Sequence, residues 1–219
     1  MIPQVIIHNQ ISLDGGIAGF DVDMAQYYGL SYNYDEGFRL FGSETVLRAV
    51  MADSPETELD CVKPDYEVKA NAPFWVIADS RGRIRNLHLY RRSEYCKDII
   101  VLVSPQTPKE HLDYLNRRDY DYIMTGSEKV DFREALNVLN EKYGCDQILT
   151  DTGGLLACHL LSRGLVSKIS LIQSPVFTGI GVKSYFSTLE LGEPLKLETE
   201  SSDILPDGCV HTVYNVMNK

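Results

Sequence analysis

Asp151-Thr152-Gly153-Gly154-Leu155-Leu156-Ala157-Cys158-His159-Leu160-Leu161 is the stretch on which the reading of this chain turns. Gln147-Ile148-Leu149-Thr150 before it reads as a buried strand, and Leu156, Leu160 and Leu161 after it share a core-facing helical spacing. A Gly-Gly step at such a junction lets the backbone approach a ligand closely. The first free N–H groups of the helix, backed by the positive end of its dipole, then suit a phosphate or pyrophosphate, and the surrounding pattern suggests a dinucleotide. The alternative is a tight turn that needs glycine only for its dihedral angles.

Working outward, strands alternate with helices. Gln4 to Ser12, Gly37 to Gly42, Phe74 to Ala78, Asp98 to Val103, Tyr120 to Met124, Gln147 to Thr150 and Lys168 to Gln173 read as strands. Helices are expected from Ser43 or Glu44 to Ala52, from Pro108 to Arg117 and from Asp131 to Tyr143. In the last, Asp131 can cap, Glu134 can return the bond and Gly144 stops the helix. Leu195 to Val216 closes the chain as an antiparallel pair around Pro206-Asp207-Gly208, and Asp53 to Ala72 is the longest loop. The pattern predicts one α/β domain over 1–219. Its central sheet is mainly parallel, with helices on both faces and an antiparallel C-terminal edge. Ligands of such sheets bind beyond the carboxyl ends of the strands.

Composition narrows the function. The 219 residues are 44% hydrophobic, and 21 basic against 31 acidic side chains give a net charge of −10. That balance argues against a general binder of nucleic acid or anionic membrane. No apolar run is long enough to cross a membrane, and Met1-Ile2-Pro3-Gln4 does not open a secretory signal, so a cytoplasmic protein is expected. Cys61, Cys96, Cys145, Cys158 and Cys209 are scattered, no Cys-x-x-Cys occurs and no histidine pair has ligand spacing. The cysteines read as reduced packing residues, and no metal site is expected.

Four segments fall at the carboxyl ends of expected strands. They are Ser12-Leu13-Asp14-Gly15-Gly16-Ile17-Ala18, Gly42-Ser43-Glu44-Thr45-Val46, Asp79-Ser80-Arg81-Gly82-Arg83 and Asp151-Thr152-Gly153-Gly154. Their order and spacing, with Gly164-Leu165-Val166 and Pro175-Val176-Phe177-Thr178-Gly179 behind them, resemble the reductase domain of riboflavin biosynthesis. That domain is the C-terminal part of a bifunctional deaminase–reductase and has the dihydrofolate reductase-like fold. The resemblance covers nearly the whole chain. It implies NADPH as cofactor, a small phosphorylated substrate, and hydride transfer that converts the ribose of a phosphoribosylaminopyrimidine to ribityl. It also implies a homodimer. The His-x-Glu and Pro-Cys-x-x-Cys of the zinc deaminase module are absent from this sequence.

The resemblance assigns roles that the chemistry of each residue can be held against. Ser43 and Thr45, following Gly42, would offer hydroxyl and N–H groups to cofactor phosphates, or Ser43 merely caps a helix. Glu44 is out of keeping with a phosphate; it would accept from a ribose instead or weaken preference for the 2′-phosphate. Arg81, Arg83, Arg85, Arg91 and Arg92 suggest a local anion site, or else a loop salt-bridged to Glu94 or Asp98. Ser80 and Arg81 are expected on the cofactor and Arg83 on substrate or cofactor. Gly153, Gly154 and Leu155 are expected to take the cofactor, with Ile17 and Ala18 against its nicotinamide. Asp14 is the candidate catalytic residue, hydrogen-bonding substrate and, with a raised pKa, helping to deliver a proton; the alternative is a turn residue. Asp151 would bind a substrate hydroxyl or amine, or cap the following helix. His8 reads as strand packing and Lys183 as surface.

Four departures from the family pattern touch the substrate side. Gly16 replaces a lysine, Asp53-Ser54-Pro55 shortens an Asp-Asp-Pro-x-Leu-Thr segment, Arg85 replaces a proline, and the helix after the first strand is short and tyrosine-rich (Tyr27, Tyr28, Tyr32, Tyr34). These tyrosines suit either stacking on a heterocycle or a dimer interface. A reductase of another heterocycle, or a nucleotide-binding protein without turnover, therefore stands beside the leading reading.

Overall fold

The computed structural model describes residues 2–34, 37–49 and 56–217. In chain order the strands are β1 (Gln4–Ser12), β2 (Phe38–Gly42), β3 (Phe74–Ala78), β4 (Ile99–Val103), β5 (Asp121–Met124), β6 (Gln147–Thr150), β7 (Val166–Ser174), β8 (Leu197–Ile204) and β9 (Val210–Val216). The helices are α1 (Met24–Ser31), α2 (Ser43–Ala49), α3 (His88–Arg91), α4 (Lys109–Arg117), α5 (Phe132–Tyr143) and α6 (Gly154–Ser162). The α/β class, with mainly parallel strands and an antiparallel C-terminal edge, is as the alternation implied. Packing divides the chain into two compact units. One is Met1–Pro3 with Glu36–Ile148, the other Gln4–Asp35 with Leu149–Lys219, and the chain passes between them within β6.

In the first unit, β2, β3, β4 and β5 run parallel, with Gly42 opposite Ala78, Ala78 opposite Leu102 and Leu102 opposite Ile123. Their carboxyl ends therefore lie level. All five residues of β4 (Ile-Ile-Val-Leu-Val) are buried, the continuous apolar run expected of a parallel strand covered on both faces. Each such side chain, fully buried, contributes about 1.5–3 kcal/mol. Helix α5 starts where Asp131 accepts from the N–H groups of Arg133 and Glu134 and stops at Gly144, which has the left-handed φ of 69°. The expected return bond from Glu134 is replaced: its carboxylate accepts from the Gly126 N–H at 3.1 Å and ties the loop after β5 to the helix. Part of the expected Asp53–Ala72 loop is structured, since Glu58–Cys61 forms a 3₁₀ turn closed by hydrogen bonds from Thr57 to Asp60. Residues 50–52 of the expected helix and the shortened Asp53-Ser54-Pro55 motif lie outside the described residues.

In the second unit, β1 pairs in parallel with β7, and β9 and β8 follow antiparallel. Helix α6 buries Leu156, Leu160 and Leu161 as the spacing implied, and Leu155 is exposed. Tyr27 of α1 is buried against Ile172 and Cys209, whereas Tyr32 is 63% exposed. A buried polar rung crosses three strands. His8 Nε2 donates to the Tyr27 carbonyl at 3.1 Å, and His8 Nδ1 lies 2.9 Å from the Ser170 hydroxyl oxygen. Ser170 Oγ in turn is hydrogen-bonded to His211 Nε2 at 2.8 Å, so His8 packs in its strand as expected.

No helix among the described residues is long and apolar enough to cross a membrane, and the five cysteines are free thiols. No group of three or more His, Cys, Asp or Glu among the described residues is arranged to hold a metal ion.

Candidate functional site

Each unit gathers polar residues at the carboxyl ends of its strands. In the second unit β1 ends in a tight turn. Ser12 Oγ accepts from the Gly16 N–H at 2.8 Å and donates to Asp14 Oδ1 at 2.5 Å. Gly15 takes the positive φ of 82° that the turn requires. The Asp14 carboxylate also accepts from the N–H of Thr178 (3.1 Å), the N–H of Gly179 (2.8 Å) and the Thr178 hydroxyl (3.1 Å). These donors hold its pKa well below the usual carboxylate range, the Ser12 hydroxyl contributing most. The expected raised pKa is therefore corrected: hydrogen bonds to the charged form favour ionisation, and Asp14 here is an acceptor and an anchor. Ile17 and Ala18, just beyond, are exposed.

The Asp14 anchor draws the segment 178–185 onto the turn. Gly16 bridges to Ser184, and the Tyr185 N–H donates to the Gly15 carbonyl at 2.7 Å. A side chain at position 16 would start 2.4 Å from Thr178 Oγ1 and 2.8 Å from Val182, so the place a lysine would leave from is filled.

Following β6, Asn9 Nδ2 and the Tyr185 hydroxyl both donate to the Thr152 carbonyl, each at 3.1 Å. This fixes the approach to α6. Gly153, at the N-cap, has an ordinary φ of −63° and open space where a Cβ would stand. Gly154 is different, because a Cβ there would lie 1.9 Å from the Tyr185 carbonyl oxygen. The Gly-Gly step thus divides: the second glycine is required by the protein's own backbone, and the first leaves the start of the helix open. Gly153 itself is the N-cap residue, and Asp151 lies half-buried just ahead of it.

In the first unit, two loops meet at the level strand ends. Arg83 Nη2 donates to Glu44 Oε1 at 2.5 Å and to Ser43 Oγ at 3.1 Å, bringing together the segments expected after β2 and β3. Gly42 and Thr45 flank them, half-buried. Glu44 is held below its usual pKa by the hydrogen bond and charge of Arg83, with further contributions from Arg48 and Arg81. Arg81 is exposed and makes no hydrogen bond among the described residues.

The loop carrying these arginines is fastened from below. Asp79 Oδ2 accepts from the Ile84 N–H at 2.8 Å, and Gly82 takes a φ of 61° over the ring of His111. His111 is fully buried. Its Nδ1 accepts from Arg85 Nη1 at 2.7 Å, which leaves Nε2–H facing Asp79 at 3.7 Å. Ser80 is a structural tie: its hydroxyl accepts from the Val130 N–H and its carbonyl from the Thr107 hydroxyl. The five-arginine anion site is likewise reduced. Arg85 turns back onto the Gly82 and Ile84 carbonyls, Arg91 pairs with buried Asp98 and Arg92 with Asp60. Arg81 and Arg83 remain at the strand ends.

The family model described as RibD C-terminal domain matches residues 3–210. The chain belongs to the RibD C-terminal domain family.

A curated relative, riboflavin biosynthesis protein RibD of Chlamydia muridarum (strain MoPn / Nigg), is 26% identical over 181 residues, 81% of this chain and 48% of the relative. The chain thus spans about half the length of that protein. Among solved structures, the riboflavin biosynthesis reductase of Saccharomyces cerevisiae superposes with a TM-score of 0.65 at 19% identity, covering 98% of this chain and 90% of the other. A pyrimidine reductase-like protein of Corynebacterium diphtheriae gives 0.71 at 15% identity, covering 99% and 93%. These likenesses establish the shared fold.

For this member of the RibD C-terminal domain family, sequence reading located both loops and their charged residues. It quoted Asp79 and Thr178 only within family segments, without a role of their own, and passed over Asn9, Tyr185 and His111. Ser12 carried a local signal, its spacing of two from Asp14. Asn9 and Tyr185 carried none, because their partners lie more than thirty residues away.

Proposed function

We propose that this chain is an NADPH-dependent reductase of the riboflavin pathway, reducing the ribose of a 5-amino-6-(5-phosphoribosylamino)pyrimidine to a ribityl chain. The observation that carries the reading is the family match over residues 3–210. The donor chemistry fits the cofactor. Arg81, Arg83 and the Ser43 hydroxyl supply cationic and neutral donors suited to a phosphate, and Gly153 leaves the backbone at the start of α6 open. Gly42, Thr45 and Ser80 would shape the loops of the first unit that carry these donors; in the second unit Gly154 and Leu155 would shape the start of α6, and Ile17 and Ala18 present exposed apolar surface for a flat ring.

The nicotinamide, when bound, supplies the hydride. The protein supplies position and charge. Asp14, ionised and held by Ser12, Thr178 and Gly179, would orient an N–H or hydroxyl group of the substrate, and Asp151 would accept from a second one. Because Asp14 is ionised at neutral pH, the proton that accompanies the hydride comes from another donor. Arg83 would attract the substrate or cofactor phosphate. The resemblance further implies a cytoplasmic homodimer, which sedimentation of the purified protein would test.

One observation favours a second reading, reduction of a different heterocycle: the place of the family lysine is filled over Gly16 by Thr178 and Val182. Titration with NADPH followed by nicotinamide fluorescence, then substrate-dependent NADPH oxidation, decides between these. Micromolar binding with oxidation driven by the riboflavin intermediate supports the first reading. Oxidation driven only by other heterocycles supports the second, and binding without oxidation by any substrate leaves a nucleotide-binding protein.

A further inference from the structure

Glu44 and its surroundings make an unusual charge arrangement. In a chain of net charge −10, three arginines, Arg83, Arg48 and Arg81, act on this one carboxylate. Arg83 is bonded to it directly, through the same Nη2 that reaches Ser43 Oγ. Both members of the pair remain open to solvent, with side chains 36% (Arg83) and 55% (Glu44) exposed. An exposed ion pair is weak, so an incoming ligand can break it. Breaking it leaves a carboxylate beside the new anion, and like charges at that range repel.

We propose that Glu44 is the residue that limits discrimination between NADPH and NADH, its carboxylate engaging the Arg83 donor that a 2′-phosphate would use. The inference rests on the cofactor reading above. The two dinucleotides meet Glu44 with opposite consequences. A ribose 2′-hydroxyl is a donor that a carboxylate accepts, as acidic residues do at other dinucleotide sites. A 2′-phosphate is a dianion that must compete with the carboxylate for Arg83 and then lie next to it. Glu44 thus favours NADH and opposes NADPH, while the arginines around it act the other way. With both influences acting at one place, the wild-type protein should bind NADPH only modestly more tightly than NADH.

The test is the ratio of dissociation constants for NADPH and NADH, measured by nicotinamide fluorescence at low ionic strength in wild type, Glu44→Gln and Glu44→Asp. Glu44→Gln keeps the shape and removes the charge, so the ratio should move toward NADPH by about tenfold, and the shift should shrink as salt is added. Glu44→Asp keeps the charge and should stay within about threefold of wild type. A general loss of folding weakens both cofactors together and leaves the ratio alone, which is why the ratio is read. Binding of both cofactors with an unchanged ratio in Glu44→Gln overturns the role of Glu44 and leaves the cofactor reading standing. Absence of binding by either cofactor in wild type and variants overturns the cofactor reading and this inference with it.

Discussion

Gly153 and Gly154 are neighbours in the sequence with different reasons for being glycine, and the difference can be measured. A Cβ on Gly154 would collide with the backbone oxygen of Tyr185, which cannot swing aside as a side-chain end would. Gly154→Ala should cost about 1–3 kcal/mol in urea unfolding, whereas Gly153→Ala, facing open space, should cost under about 1 kcal/mol. Equal costs would mean that the Tyr185 approach is not what selects glycine. For Asp14, replacement by Asn keeps the size but removes the charge that four donors are arranged to meet. Asp14→Asn should lower turnover by about tenfold or more while the NADPH dissociation constant stays within about threefold. The opposite pattern would move Asp14 to the cofactor side. Asp14 itself was legible in the sequence, standing between a strand and two glycines. Its partners Thr178 and Gly179 were not, because a single sequence records no pairing across 164 residues.

Elements show the same division between local and distant causes. β1, β3 and β6 have the bounds their apolar runs imply, and α5 carries its start and stop signals in Asp131 and Gly144. The four residues of α3, and of the turn at Glu58–Cys61, are too few to display a helical period, so pattern alone passes over them. Asp131→Ala should cost about 1 kcal/mol, the usual worth of an N-cap. Because Glu134 is tied to Gly126 and not to the cap, Glu134→Ala should loosen the loop after β5 more than the helix. Amide exchange would show faster exchange at Gly126 with the α5 amides unchanged; faster exchange throughout α5 would restore a capping role to Glu134.

Across the whole molecule, acid is the condition to which stability should respond most. His111 is held below its ordinary pKa near 6.5 by burial, with Arg85 adding to the effect and Asp79 opposing it. Burial lowers His211 likewise, against Asp203. Between the lowered folded-state value and about 6.5, the unfolded chain holds the proton and the folded chain does not, so stability rises with pH through that window. Asp14 and Glu44, lowered chiefly by the Ser12 and Arg83 hydrogen bonds, act in the same direction at more acid pH. The melting temperature should therefore fall from about pH 7.5 to about pH 5.5 and again below about pH 4. A flat profile down to about pH 5.5 would mean that the buried histidines titrate alike in both states.

One of those histidines has a spectroscopic consequence. Hydroxyl protons of serine usually vanish from a nuclear magnetic resonance spectrum, because they trade places with water faster than they can be observed. Ser170 sits between a ring nitrogen of His211 and one of His8, hydrogen-bonded to both, and all three residues are buried. Its hydroxyl proton has one place to point and no solvent to meet. It should stand as a resolved, slowly exchanging line, a built-in reporter of whether the strands on either side have parted.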